Sequence, residues 1–283
     1  MDNSQYSGKV LRVALAGRQT YNPKATVKRT LKMKEGPLIL ALETATLGGS
    51  VCLVRGNKVF AVKIGDPQIS HSNSLLRDIN ESLVQADVAL RNVDLFACTS
   101  GPGSFTGLRI GLATLKAFAA TLERPCVGIP TLQAVARAAG PSGGTVALLP
   151  AGRGEVFAQL LSVSLDGAVT ALDAPAHLSP QGLVDKYRAI KSLRWAGPAA
   201  YLYRDLIGSY DEARLFAFSA DLLDRVAIVQ RHGWSLAPKE PNLAKHVAAL
   251  ALHKFQRQET LSPHSLSAIY VRPSDAEVKE RCQ

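Results

Sequence analysis

The stretch Thr99–Leu112, TSGPGSFTGLRIGL, holds four glycines and a proline between an apolar run and a helical pattern. Such a loop could cradle a phosphate, hold a reactive group, or let two backbones come close. Gly101, Gly103 and Gly107 read G-x-G-x-x-x-G. The dinucleotide fingerprint needs its third glycine where Thr106 stands, and a P-loop needs a following Gly-Lys-Ser/Thr. Ser104 lacks the frame of a nucleophile elbow, because Pro102 and Thr106 occupy the flanking glycine positions. Two readings remain. Amides at a helix N-terminus hold anions, with Gly101, Gly103, Ser104 and Thr106 as contacts. Alternatively the loop serves packing. Gly103, Gly107 and Gly111 share one helical face. Glycine inside a helix costs about 1 kcal/mol relative to alanine, and close approach of another helix would offset that. Leu108, Leu112, Leu115 and Leu122 form a second stripe that can face a sheet.

Metal chemistry has little support in the pattern. His71, His177, His232, His246, His253 and His264 include no pair at i,i+3 or i,i+4, so no helical zinc pair exists. His71 opens a helical segment, where a polar residue near the cap and a ligand are the competing readings. Cys52, Cys98, Cys126 and Cys282 form no C-x-x-C pair. The first three sit in apolar surroundings and read as buried, reduced thiols, which fits a reducing, cytoplasmic compartment.

The elements that must position these residues repeat. LILALETA is a strand, and SVCLVRG and KVFAVKIG flank a Gly56-Asn57 hairpin turn. SHSNSLLRDINESLVQADV reads as a helix, with Ser70 and Ser72 as cap candidates and Leu75, Leu76, Ile79, Leu83 and Val84 at helical spacing. VDLFACTS is a buried strand, the glycine loop and a helix follow, and CVGIP is a further strand. Pro141-Ser142-Gly143-Gly144 reads as a boundary. Beyond it, TVALLPA, VFAQLLSV and AVTALDA are strands, the last two joined through Asp166-Gly167. SPQGLVDKYRAIK is a helix, LRWAG a strand and PAAYLYRDLIGS a helix. Further helices are expected near 219–232 and 238–256. The order β-β-β-α-β-α therefore occurs twice, which predicts an α/β fold of two lobes, each a mixed sheet flanked by helices. That is the order of the actin-like ATPase (ASKHA, ribonuclease H-like) fold. Glu43 ends the first strand, where nucleotide-handling members of this fold place an aspartate. Hydrogen bonding of the following loop is the competing reading.

The expected organisation is a basic extension over 1–36, a first lobe over 37–140, a second over 141–272 and a tail over 273–283. The helix near 238–256 is expected to pack back on the first lobe. The formal charge of +10 is concentrated at the start: residues 1–36 carry a net +6, leaving +4 for the rest. A dedicated basic groove is not evident in the body. The segment 1–36 lacks sustained periodicity and reads as a disordered tail or an upstream start, with a transit peptide as the alternative. No apolar run approaches the ~18 residues of a membrane span.

ILALETAT at 39–46, HSNSLL at 71–76, SGPGSFTGLRIGLATLKAFA at 100–119 and GIPTLQAVA at 128–136 resemble the TsaB (YeaZ) family. The resemblance covers residues 37–163, and AIYVRP near the end also fits. It implies a non-catalytic subunit of the bacterial machinery that makes threonylcarbamoyladenosine at adenosine 37 of tRNAs reading ANN codons. The implied partners are a TsaD-type catalytic subunit and a TsaE-type ATPase, with tRNA reached through the complex and a homodimer when the subunit is alone. No cofactor is implied for this chain, because ATP and a metal ion belong to the partner subunits. The catalytic sister carries a metal-binding H-x-x-x-H; here Leu75 stands four residues after His71. The pairing helices match 71–86 and 104–122, so His71, Leu75, Leu76, Ile79, Ser104, Gly107 and Gly111 are the implied partner interface. One departure is plain: the family reads Asp-Ala-Arg before its Gly-Glu-Val-Tyr, and this chain has Pro150 and Gly152 at the charged positions. The alternative to a scaffold is a stand-alone enzyme of the same fold, a glycoprotease-type metallopeptidase or a small-molecule kinase.

Overall fold

The computed structural model describes residues 36–210, 216–217 and 233–271. The apolar run LILALE forms β1 (Leu38–Glu43), and β2 (Ser50–Arg55) follows it; every residue of both is buried. That burial on both faces explains why the sequence shows a continuous apolar run there and no alternation. With β3 (Lys58–Ile64), β4 (Leu95–Gly101) and β5 (Cys126–Pro130) they make a sheet of order β3-β2-β1-β4-β5. The first three strands are antiparallel neighbours, and β4 and β5 join in parallel. A second sheet uses β6 (Ser142–Gly152), β7 (Glu155–Val163), β8 (Val169–Ala171), β9 (Ala176–Leu178), β10 (Ser192–Ala196), β11 (Phe216–Ala217) and β12 (Gly233–Leu236). Its order is β11-β12-β10-β6-β7-β8, with β9 also paired to β7. The run β8-β7-β6-β10-β12 repeats the first sheet strand for strand, including the switch from antiparallel to parallel pairing. The duplication read from the sequence is thus present in the topology.

Helices cover the sheets on both sides. Over one face of the first sheet lie α1 (His71–Gln85) and α2 (Phe105–Thr121), which send Leu75, Ile79, Leu83, Leu112 and Leu115 into a cluster with Leu40, Leu53 and Phe96. The other face receives Ala134 of α3 (Thr131–Ala138) and Val247, Ala248 and Ala251 of α7 (Leu243–Gln256). Leu132, Val135 and Ala136 of the same short α3 enter the core of the second sheet with Ala147, Leu149 and Phe157. On the far side of that sheet, α4 (Pro180–Tyr187), α5 (Pro198–Leu202) and α6 (Arg204–Ser209) close over Val146, Leu148, Trp195 and Trp234.

Side-chain caps start the longer helices. Ser70, Ser104, Ser179 and Asn242 accept from the amides of Ser72, Gly107, Gly182 and Lys245. The Asp166-Gly167 hairpin between β7 and β8 is confirmed, with Gly167 at φ +79°. Several local readings need correction. At the Pro141–Gly144 boundary the second sheet begins directly, with Ser142–Gly144 already the first part of β6. PAAYLYRDLIGS is two helices broken at Tyr203, and α3, β9 and β12 have no counterpart in the sequence reading. The helix expected near 219–232 lies outside the described residues. Among the described residues no helix is long and apolar enough to cross a membrane.

Candidate functional site

Both loops that follow parallel neighbours, β1 and β4, end at one place, and they are built into each other. Glu43 is buried, and its carboxylate turns onto its own loop. Oε1 accepts from the amides of Ala45 at 2.6 Å and Thr46 at 2.9 Å, and Oε2 accepts from the Thr46 hydroxyl at 2.6 Å. Burial raises its carboxyl above the ordinary value, against the pull of those bonds and of nearby His71. A carboxylate so committed organises the loop. It does not face an anion, which it would repel. His71, at the start of α1, reaches the same loop: its Nε2 lies 2.9 Å from the Thr46 carbonyl oxygen.

The glycine loop supplies the other wall. Gly101 has φ +116° and Gly103 φ +154°, and a peptide between Gly101 and Pro102 is cis. A Cβ on Gly103 would stand 2.6 Å from Ala45, and one on Gly101 would strike the carbonyl oxygen of Ile269. The Ser104 amide donates to the Ala45 carbonyl at 2.8 Å, and the Gly107 amide to Ser104 Oγ at 3.2 Å. Two donors that an anion at this helix start would use are therefore bonded within the chain. Thr106 is exposed on the first turn. The bonds and close approaches of Glu43, Gly101, Gly103 and Ser104 tie the two loops to each other, as the packing reading of the loop expects.

The packing partner differs from the expected one. Gly107 and Gly111 are buried, and their missing Cβ atoms point at Thr44: at its carbonyl oxygen from Gly107 and at its hydroxyl from Gly111. These glycines let α2 lie against the end of β1 in the same chain, so neither can present a surface to a partner helix. Leu75 and Ile79 need the same correction. Both are buried in the first core and face the sheet. What α1 leaves outside includes two large apolar side chains, Leu76, 55% exposed, and Val84, 72% exposed, among the polar Asn73, Arg77, Asn80 and Glu81. On α2 the exposed positions are Phe105, Thr106, Arg109, Ala113, Ala117, Ala120 and Thr121. The outer face of α2 thus carries mostly apolar and small side chains, and that of α1 sets Leu76 and Val84 among polar residues and the Arg77–Glu81 pair.

The sequence reading missed the covering segment. After α7 the chain returns along the first sheet, where Leu261 and Cys126 exchange backbone bonds at 2.8 and 3.1 Å. Leu266 is buried against Gly128, whose Cβ would come within 2.7 Å of its Cδ1. The Ile269 amide donates to the Ser100 carbonyl at 2.6 Å, and Tyr270 packs on Phe105 with ring centroids 5.3 Å apart. The short tail SAIYVRP was visible, but nothing local shows that it crosses the end of β4.

Elsewhere, Cys52, Cys98 and Cys126 are buried free thiols, and burial pushes Cys52 up to about 11. Such thiols are inert. Among the described residues no group of three His, Cys, Asp or Glu side chains is placed to hold a metal ion. A cavity of about 320 Å³ lies between α3, the start of α5 and the segment before α7, lined by Val135, Gly197, Tyr201, Glu240 and Leu243 among others. None of the residues singled out from the sequence lines it.

The role of Glu43 is open to a direct check. Glu43→Ala leaves two loop amides without their acceptor, and losing hydrogen bonds to a charged group costs about 1.5–3 kcal/mol. Glu43→Gln keeps an acceptor for both amides and should retain most of the stability. Equal urea midpoints for the two variants would contradict the loop-organising role.

A protein-family model described as TsaD, tRNA N6-adenosine threonylcarbamoyltransferase, matches residues 67–261, more than half of the chain. The chain belongs to this family. Its curated relatives place it with TsaB, also called YeaZ. It is 37% identical over 102 residues to the tRNA threonylcarbamoyladenosine biosynthesis protein TsaB of Haemophilus influenzae, covering 36% of this chain and 42% of that one. It is 34% identical over 122 residues to the Escherichia coli TsaB, covering 42% and 52%. The aligned part of the chain thus spans about half the length of these curated relatives. A solved structure of YeaZ from Pseudomonas aeruginosa superposes with a TM-score of 0.64 at 24% identity, covering 83% of this chain and 99% of that one. The two-sheet architecture is therefore the actin-like fold of TsaD and YeaZ.

Where the TsaB resemblance departs, the structure has a hairpin tip. Pro150 and Gly152 close β6, and Gly152, Arg153 and Gly154 run left-handed at φ +80°, +52° and +77°. The glycines face open space, while the Tyr203 hydroxyl holds the Gly154 carbonyl at 2.7 Å.

Proposed function

We propose that this chain is a non-catalytic scaffold subunit in the biosynthesis of threonylcarbamoyladenosine in tRNA. It pairs with a TsaD-type catalytic subunit and activates it. The observation that carries the reading is the outer face of α1 and α2, where Leu76, Val84, Phe105 and three alanines lie open beside each other's helices. Monomeric proteins seldom leave such helix faces uncovered, and small residues allow a second pair of helices to approach closely. The engagement of His71 with Thr46 and of Glu43 with its own loop supports a scaffold, because both groups are committed to structure. The relatives' name, tRNA threonylcarbamoyladenosine biosynthesis protein, supports the pathway. In this reading a TsaE-type ATPase joins the pair, tRNA is reached through the complex, the chain works in the cytoplasm, and ATP and metal are handled by the partners.

Co-production with the TsaD-type protein of the same organism tests it. The two should co-purify, and tRNA threonylcarbamoylation, read by mass spectrometry of the nucleosides, should require both. Modification at full rate without this chain would overturn the scaffold role. Glycoprotein cleavage or small-molecule phosphorylation by the chain alone would favour the enzyme reading instead. Leu76→Asp and Val84→Asp should each weaken pairing by about tenfold or more while leaving the melt unchanged, since both side chains are exposed.

A further inference from the structure

The start of α2 and the end of the described chain build a cluster that the helix faces alone do not explain. The Arg109 guanidinium lies 3.9 Å over the Phe105 ring, and Tyr270 flanks the same ring at 5.3 Å. Phe105 is 36% exposed, Ile269 39% and Tyr270 48%. Arg109 is exposed and forms no ion pair among the described residues. No Asp or Glu occurs in the two segments that build the cluster, from Thr99 to Leu122 and from Thr260 to Pro273. Tyr270 is held there by the backbone bond of Ile269 to Ser100, on the strand that leads into the glycine loop. That bond sets Tyr270 beside Phe105 before any partner arrives, and such preorganisation reduces the entropy lost on binding.

We infer that Phe105, Arg109 and Tyr270 form an anchor for a carboxylate on the catalytic subunit that docks on α1 and α2. This rests on the pairing reading above and extends the docking face onto the C-terminal segment. Aromatic residues and arginine dominate the energetics of protein interfaces, at central positions that lose water. A guanidinium stacked on one ring still offers its edge to a carboxylate, in the bidentate geometry that lysine cannot supply. RNA is the less suitable occupant. Phosphate binding needs several cations, and the exposed or half-exposed surface of α2 offers Arg109 and Lys116 over its whole length. One face of Phe105 is already covered by the guanidinium, so it is closed to base stacking.

The test measures pairing of the full chain with the catalytic subunit by isothermal titration, for wild type, Phe105→Ala, Arg109→Met and Tyr270→Ala. Each variant should lower affinity by about 30-fold, the effect of losing one anchor residue. The loss in Arg109→Met should shrink as sodium chloride is raised from about 0.05 to 0.5 M, because the missing contact is ionic. Melting curves control for folding. Should Tyr270→Ala melt early, Arg109→Met, altered at an exposed head group, carries the test. Variants that pair like wild type overturn the anchor and leave the scaffold reading intact. Wild type that does not pair overturns both. Variants that instead lose only self-association, or only binding to a fluorescein-labelled anticodon stem-loop RNA, assign the cluster to another occupant and overturn the proposal.

Discussion

Gly107→Ala should lower the melting temperature by about 6–12 °C. The added methyl would land on the Thr44 carbonyl oxygen, a backbone atom at the end of a strand buried on both faces. A flexible side chain could swing aside, but this carbonyl can move only if α2 lifts away from the sheet. Overpacking costs about 1–3 kcal/mol and sometimes more. A loss of about 3 kcal/mol corresponds to that range of melting shift in a protein of this size. The sign of the result is decisive. A solvent-facing glycine in a helix gains about 1 kcal/mol on becoming alanine, so a stabilised variant would refute the close approach. Gly111→Ala provides the matching experiment, because there the obstacle is the Thr44 side chain. Its hydroxyl is buried without a hydrogen-bond partner among the described residues. Thr44→Ala should therefore rescue much of the Gly111→Ala loss and none of the Gly107→Ala loss. That is a coupling measurable in a double-mutant cycle. Gly111→Leu should fail as a folded monomer before it fails as a partner.

Acidification should weaken the fold through His246, by about 3 kcal/mol between pH 6.5 and 4. This residue, on the first turns of α7, is mostly buried, and burial together with Lys245 and Arg137 holds its imidazole down at about 4 from an ordinary 6.5. Glu240, 3.5 Å away, pulls the other way and does not prevail. The ring is therefore neutral at pH 7. Above pH 6.5 it is neutral in both folded and unfolded chains and stability is full. As pH falls below 6.5 the unfolded chain takes a proton that the folded one refuses, and stability drops until about pH 4. His253 is lowered by burial and by Arg137 and acts in the same direction. Glu43, raised by burial, acts in the opposite one. Urea midpoints at about pH 7 and 4.5 should differ strongly in wild type and clearly less in His246→Gln, which keeps a hydrogen-bonding group but takes no proton. An unchanged pH dependence in that variant would rule out His246 as the cause.

The consequence for the molecule is structural. α7 packs on the first sheet, while Ala237, just before it, bonds to Trp195 of the second. The acid-sensitive cluster of His246, Glu240, Lys245 and Arg137 therefore sits where the chain passes from one sheet to the other. Loosening it should release α7 before either sheet melts, and hydrogen exchange along Leu243–Gln256 at about pH 5 would show the order of loss.

The sequence by itself determined whatever depends on neighbours a few residues away. The Gly56 and Asp166-Gly167 turns, the Ser70 cap, the buried runs of β1 and β4 and the repeated β-β-β-α-β-α order are written in local pattern. It also marked the glycine loop as special, because two glycines inside a helix demand compensation. It could not say what supplies that compensation. Thr44 lies more than sixty positions before Gly107 and Gly111, and its approach exists only once β1 and β4 pair. The helical spacing of Leu75, Leu76, Ile79, Leu83 and Val84 allowed two overlapping stripes. The sheet beneath α1 chose Leu75, Ile79 and Leu83, and left Leu76 and Val84 outside. Short α3 was illegible because eight residues following a strand directly are too few for helical periodicity to separate from a buried extended run, although they serve two cores. Tyr270 reached Phe105 across more than a hundred and sixty residues, through one backbone bond to Ser100. Periodicity reports which side of an element is apolar; only the assembled sheets decide which atoms meet there.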